Sequence, residues 1–346
     1  MAPQIDERKA LVLRAIVSHY VSTGEPVGSK TLVDRYRLKV SPATVRNDMG
    51  ALEEAGYIYQ PHTSAGRIPT DTGYRYFVDA WGSDERLPAE QAQQIRHFFG
   101  QPRFEFEESL RQTATLLSRL TDHAAVVFAP ILERSVVRHV ELVRLSAERA
   151  MLVLVTDTGR VENHVLLIER SVGDPQLDEA SETLRRLTVE RHLDSVVANV
   201  TGGLDQLPVE LRDPIASVMR VIGEDLSTRE SERLYLEGTS NIVDEHKFAD
   251  LETVRQVIGA LEHRRVVLET MADALRASDV SVRIGSENIF EEMQACSVVT
   301  APYGAEGNVL GTLGVVGPTR MDYRKTIAAV YEVSANLGRV LVELGM

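Results

Sequence analysis

The segment from Ser41 to Thr70, SPATVRNDMGALEEAGYIYQPHTSAGRIPT, constrains the fold more than any other part of the chain. Ser41 is a good N-cap, and Pro42 suits the first helical position, where its missing N–H costs nothing. Gly56 stands where a helix stops. The spacing predicts a helix from about Pro42 to Ala55. Val45, Met49 and Leu52 fall at i, i+4 and i+7 and make an inward stripe, leaving Ala43, Thr44, Arg46, Asn47 and Gly50 nearer the outer face. Beyond Gly56, Tyr57-Ile58-Tyr59 is β-prone, Pro61 to Gly66 carries turn signals, and Arg67-Ile68 resumes extended chain before Pro69. A short hairpin with a polar tip is the expected product.

The outer face of that helix is small, polar or cationic, the composition a DNA major groove admits. Arg46 can fork onto guanine, Asn47 onto adenine, and Ala43 lets the backbone approach. Ser41 and Thr44 place hydroxyls at the helix N-terminus, where free backbone N–H groups also favour a phosphate. His62, Thr63, Ser64 and Arg67, at or beside the hairpin tip, are candidates for phosphate or minor-groove contact, and Lys30 is a further candidate cation. Upstream, Leu13, Ile16, Val17 and Tyr20 mark an amphipathic helix between Asp6 and Ser22, closed by Gly24 and Pro26. A second, short helix is expected to start at Ser29 as N-cap and to bury Leu32, Val33 and Tyr36. Helix, helix, turn, helix and hairpin is the order of a winged helix-turn-helix.

Two long stretches also resemble a known family. From about Glu25 to Asp79, through GEPVGSKTL, the segment quoted above and TGYRYFVD, the chain is similar to the amino-terminal signature of the HrcA family of bacterial heat-inducible transcription repressors. From Val299 to Tyr323, VTAPYGAEGNVLGTLGVVGPTRMDY resembles its C-terminal half. The resemblance implies a GAF-like α+β domain carrying an inserted dimerisation domain. It implies a homodimer on an inverted-repeat DNA operator upstream of chaperone operons, with the chaperonin as modulator and repression released by heat. The competing expectation is a repressor gated by a small molecule in the GAF-like pocket, for which Glu291, Glu292, Cys296 and Tyr303 are the candidate lining.

A length of 346 residues exceeds what one core usually serves, so an α+β multidomain chain is expected. The net charge of −13 is at first sight wrong for a DNA binder. Residues 1–80, however, hold ten Lys/Arg against nine Asp/Glu, and the acid lies beyond them, with 28 against 42. Phosphate neutralisation then rests on a few placed cations, among them Lys30, Arg35, Arg37, Lys39, Arg46 and Arg67. One cysteine allows no internal disulfide, and neither a signal peptide nor a membrane span is visible, so a cytoplasmic protein is expected.

The expected division is a winged helix-turn-helix over 1–82, a linker helix over 83–104, a GAF-like domain over 105–170 and 243–346, and an inserted dimerisation domain over 171–242. Beta-branched runs (AAVVFAP, SVVRHVELVRLS, RAMLVLVTDTG, RVENHVLLIE) precede helices centred on 178–188 and 210–225, with TGGLDQLP as a breaker between them. Helices over 243–275, the strands VSVRIG, SVVTAPY and VLGTLGVVGP, and a helix over 323–344 complete the pattern. Gly311, Gly314 and Gly317 read as close-packed strand and not as a phosphate loop, because the P-loop Lys and the following helix are missing. No H-E-x-x-H, C-x-x-C or G-x-S-x-G occurs, and the histidines are scattered, so no catalytic residues, cofactor or metal are expected.

Overall fold

The computed structural model describes residues 5–63, 65–82, 86–101, 106–128, 136–157, 161–170, 172–228, 234–242, 251–271, 279–305 and 308–343. The chain is mixed α+β, and its described strands form a two-stranded, a five-stranded and a three-stranded sheet.

Helix α1 (Glu7–Thr23) starts at Asp6, whose carboxylate accepts from the Lys9 N–H, and ends at Gly24 in the left-handed region, φ 73°. Helix α2 (Ser29–Tyr36) begins one residue earlier than expected. Gly28 is its N-cap, and Ser29 is buried inside the first turn. Helix α3 (Pro42–Glu54) follows the sequence expectation: the Ser41 hydroxyl accepts from the Thr44 N–H at 3.1 Å, and Val45, Met49 and Leu52 are buried. They share a core with Leu13, Ile16 and Leu32. Strands β1 (Ile58–Tyr59) and β2 (Ile68–Pro69) pair antiparallel, Ile58 opposite Pro69. Helix α4 (Asp71–Trp81), capped by Thr70, follows at once.

Helices α5 (Ala89–Phe99) and α6 (Phe106–Thr121) lead into the five-stranded sheet, built from β3 (Ala124–Phe128), β7 (Leu234–Glu237), β8 (Ser281–Ile284), β9 (Cys296–Ala305) and β10 (Asn308–Pro318). Its spatial order is β7-β3-β10-β9-β8, with every pair antiparallel. Ala125 and Val127 face a layer containing α6 and α12 (Tyr323–Glu343), whereas Ala124 and Val126 face α10 (Leu251–Glu262) and α11 (Arg264–Met271). Burial on both faces is why this strand reads as an unbroken apolar run without alternation.

The remaining strands, β4 (Val137–Ser146), β5 (Arg149–Thr156) and β6 (Val161–Leu167), form a separate antiparallel meander. Their inner face packs on α7 (Asp174–Thr188), α8 (Leu193–Gly203) and α9 (Val209–Thr228) in a core of its own, where Leu142, Leu152 and Leu154 meet Leu184, Val196 and Ile215. The Leu142 N–H donates to the Ser181 hydroxyl at 2.9 Å, tying sheet to helix. The sheets therefore divide well before residue 171, the expected boundary, and β7 belongs to the five-stranded sheet and not to the segment ending at 242. β-branched alternation identifies a strand but does not say which sheet it joins, since pairing is non-local. Helix α8 was not anticipated either: its SVVANV run is poor in helix formers, and tertiary packing of Leu193, Val196 and Val200 decides its conformation.

Candidate nucleic-acid interface

The three N-terminal helices present one side of α3 to solvent. Ser41, Ala43, Arg46 and Asn47 are exposed; Thr44 is half-buried, its hydroxyl 2.9 Å from that of Ser41. A Cβ at Gly50 would meet nothing within 4 Å, so this flank of the helix is open. Lys30 is exposed in the first turn of α2, and Arg35, Arg37 and Lys39 are exposed on the path from α2 to α3. The structure thus brings Ser41, Ala43, Thr44, Arg46 and Asn47 onto one short surface.

Opposite that surface lies a residue that was not singled out from the sequence. Asp48 is buried, and both its carboxylate oxygens accept from the Arg8 guanidinium of α1, from Nε at 2.8 Å and from a terminal nitrogen at 2.9 Å. The pair raises the Arg8 pKa, first through the hydrogen bond and then through charge. A fork of this kind fixes the angle between α3 and α1, which apolar packing alone leaves free to slide. It also neutralises a buried acid on the helix that carries the cationic face. The signal was available: Asp48 falls next to Met49 on the stripe of Val45 and Leu52, and a carboxylate on an inward stripe needs a partner.

The hairpin beside α3 has His62 and Thr63 exposed at its tip; Ser64 lies outside the described residues. Gln60 braces this turn by donating to the carbonyls of Thr63 at 2.9 Å and Ala65 at 2.8 Å. Arg67 departs from the sequence expectation. Its guanidinium donates to the Glu53 carboxylate at 2.8 Å, and its backbone pairs with Val27 through bonds of 3.1 and 2.9 Å. It sits at the base of the hairpin and fastens it to α3 and to the segment before α2. Gly66 permits this close approach: a Cβ there would lie 2.4 to 2.5 Å from Val27 backbone atoms.

The residues proposed to line a small-molecule pocket do not converge. Cys296 and Tyr303 are fully packed within the sheet, the Tyr303 hydroxyl donating to the Phe128 carbonyl, while Glu291 and Glu292 are exposed. Burial pushes the Cys296 thiol up to about 12, far from thiolate chemistry at neutral pH. A groove of about 710 Å³ lies elsewhere, between α4 and α12, lined by Arg75, Val78, Asp79, Leu87 and Tyr331 among others. Among the described residues no group of three His, Cys, Asp or Glu is placed to hold a metal, and no helix is long and apolar enough to cross a membrane.

A solvent-facing polar helix seated on two others, beside a braced hairpin and joined to a larger α+β body, is an arrangement compatible with the class of transcription regulators. The family model described as the HrcA protein C-terminal domain matches residues 107–327. Over 344 residues the chain is 44% identical to the heat-inducible transcription repressor HrcA of Nocardia farcinica, covering 99% of each. It is 43% identical over 341 residues to that of Acidothermus cellulolyticus, covering 98% of this chain and 99% of the other. It is 38% identical over 346 residues to that of Moorella thermoacetica, covering 99% of each. The fold is shared with a solved structure of a hypothetical protein at 2.2 Å resolution, with a TM-score of 0.67 and 24% identity over 99% of this chain and 100% of that one. The chain belongs to the HrcA family of heat-inducible transcription repressors.

Proposed function

We propose that the N-terminal unit is a winged helix-turn-helix reader that inserts α3 into the major groove of double-stranded DNA, with the β1–β2 hairpin as its wing. The observation that carries this reading is the division of α3 into a buried stripe of Val45, Met49 and Leu52 and an exposed set of Ser41, Ala43, Arg46 and Asn47. Arg46 and Asn47 read base edges, while Lys30, Ser41, Thr44, His62, Thr63 and Ser64 hold the backbone. Arg67 supports the wing from behind.

The protein acts in this reading as a homodimer on an inverted-repeat operator of chaperone genes, one reader per half-site. Support for a second copy comes from the three-stranded sheet. Its outer face carries Val143, Val161, Val165 and Leu167, all exposed, with Leu167 at 73%. Exposed apolar side chains gathered on one sheet face mark an interface. This sheet and its helices form an inserted dimerisation domain: the chain leaves the five-stranded sheet at Phe128 and returns at Leu234, the residue paired with it. The five-stranded sheet with its two helical layers is the GAF-like domain. Cytoplasmic action, and modulation by the chaperonin that is lost on heat shock, belong to the same proposal.

The test is selection of duplexes from a random-sequence library by the full chain, together with sedimentation of the free protein. Enrichment of an inverted repeat by a dimeric species is expected. Enrichment of a single unrepeated site by a monomer contradicts the dimeric reading, and no enrichment by folded dimer contradicts the reader.

A further inference from the structure

Helix α4 joins the reader to the rest of the chain, and its exposed side carries a polar network that spans more than two hundred residues of sequence. The Asp71 carboxylate accepts from the Ser286 N–H at 2.9 Å. One turn on, Arg75 donates from Nε to Glu287 at 2.8 Å, donates to the second Glu287 oxygen as well, and reaches the Val282 carbonyl at 2.6 Å. Asp79 lies 3.2 Å from the same guanidinium. Glu287 is itself held, because it accepts from the Ile284 N–H at 2.9 Å across the tight turn Gly285–Glu287. Gly285, at φ 54°, leaves space that a Cβ would take from the Asp71 carboxylate, 2.1 Å away.

Beneath this network the contact is aromatic. Tyr74 of α4 lies against Tyr323 of α12, with ring centroids 5.5 Å apart and both rings buried. This packing, part of one buried core that runs from α1 to α12, holds the two bodies together but sets their angle less sharply than directional polar bonds do. A bidentate guanidinium–carboxylate pair, with a further bond to a backbone carbonyl in an edge strand, fixes both distance and angle.

We propose that Asp71, Arg75 and Glu287 form a latch that fixes the orientation of the reader on the five-stranded sheet and thereby sets the half-site spacing at which the dimer binds. The second clause rests on the dimeric reader proposed above; the first does not. None of the three residues touches DNA in that reading, so they are positioning residues. With the latch closed, the second reader of a bound dimer is presented to its half-site at a defined place, which raises its effective concentration there. With the latch open, that concentration is spread over many orientations.

Two measurements test the proposal on the full chain. Spin labels at Asp34→Cys on α2 and Arg339→Cys on α12, both exposed positions, report the distance between reader and body. Buried Cys296 stays unlabelled. Labelled chains are diluted into unlabelled protein so that only distances within one chain are read. The wild-type distribution is expected to be narrow and to broaden in the Asp71→Asn/Arg75→Gln double variant. Glu287→Gln provides a second variant of unchanged shape should the first fail to fold. An unchanged distribution in a folded variant overturns the latch.

The second measurement uses the duplexes selected above, with half-site spacing changed in single base-pair steps. Opening the latch should lower affinity at the best spacing by about tenfold and flatten the profile, while binding to a single half-site stays the same. A profile as sharp as the wild type's in a variant with broadened distances overturns the spacing role. If the wild-type protein selects no DNA while the distances still broaden, the latch stands and the reader reading falls.

Discussion

Replacing Gly66 with Ala adds one methyl group at the place where the wing is fastened. The new Cβ would sit 2.4 Å from the Val27 carbonyl carbon and 2.5 Å from its nitrogen and oxygen, all backbone atoms that cannot rotate away. Non-bonded carbons rest about 3.5 to 4.0 Å apart, so the hairpin must retreat by roughly 1 Å. That displacement stretches the Val27–Arg67 backbone bonds of 3.1 and 2.9 Å, worth about 1 kcal/mol each. Overpacking strain adds about 1 to 3 kcal/mol. A loss of about 3 to 5 kcal/mol in the reader is expected, a fall of roughly 12 to 40 °C for a unit of this size. Hydrogen exchange followed alongside thermal melting is the assay. The Val27 and Arg67 amides should lose protection first, while the amides of the five-stranded sheet keep theirs. A variant with an unchanged melt and fully protected Val27 and Arg67 amides would refute the reasoning.

Three further outcomes follow from the same structure. Leu52→Ala removes a fully buried side chain from the seat of α3 and should cost the reader about 2 to 5 kcal/mol in a chemical unfolding titration, with no direct loss of a DNA contact. His19 is buried on α1, and desolvation, then the charge of Arg35, lowers its pKa below the ordinary 6.5. Below that value the unfolded chain takes up a proton that the folded chain resists. Its contribution is therefore intact above about pH 6.5 and lost as pH falls toward the folded pKa, and His19→Gln should flatten the reader's stability between pH 7 and 5, measured by melting across that range. On the outer face of the meander, Val165→Glu with Leu167→Glu should dissociate the dimer in sedimentation and abolish the concentration dependence of its melting temperature, while the single chain still folds because both side chains are exposed in it. A dimer of wild-type strength in that variant would exclude this face.

The helices and the hairpin of the N-terminal unit were legible because their signals are local. Ser41, Pro42 and Gly56 bound α3 through capping chemistry, and the stripe of Val45, Met49 and Leu52 orients it, both within a few residues of sequence. What escaped depends on partners distant in the chain. Asp48 finds Arg8 forty residues away, Arg67 is drawn to Glu53 and Val27, and Arg75 meets Glu287 across the domain boundary. The Glu53 partner of Arg67 was not legible because a cation beside a turn looks the same in sequence whether it faces phosphate or carboxylate. The sheet boundaries failed for a related reason: each strand was recognisable from its own residues, but its neighbour lies elsewhere in the chain, as β3 beside β7 and β10 shows. The short α2 was displaced by one residue because Gly and Ser both serve as N-caps and adjoin here.

The central claim, that the exposed face of α3 reads DNA, is tested most directly by fluorescence anisotropy of the full chain and its Arg46→Ala variant. Each is titrated with the selected inverted-repeat duplex and with a scrambled duplex of equal length, at two salt concentrations. The account predicts selective binding that weakens with salt. In Arg46→Ala, affinity for the inverted repeat should drop by about 1 to 3 kcal/mol per half-site, roughly fivefold to 150-fold for each, with little change for the scrambled duplex and no change in melting. Equal affinity of the two proteins for both duplexes, with each protein folded and dimeric, would contradict it.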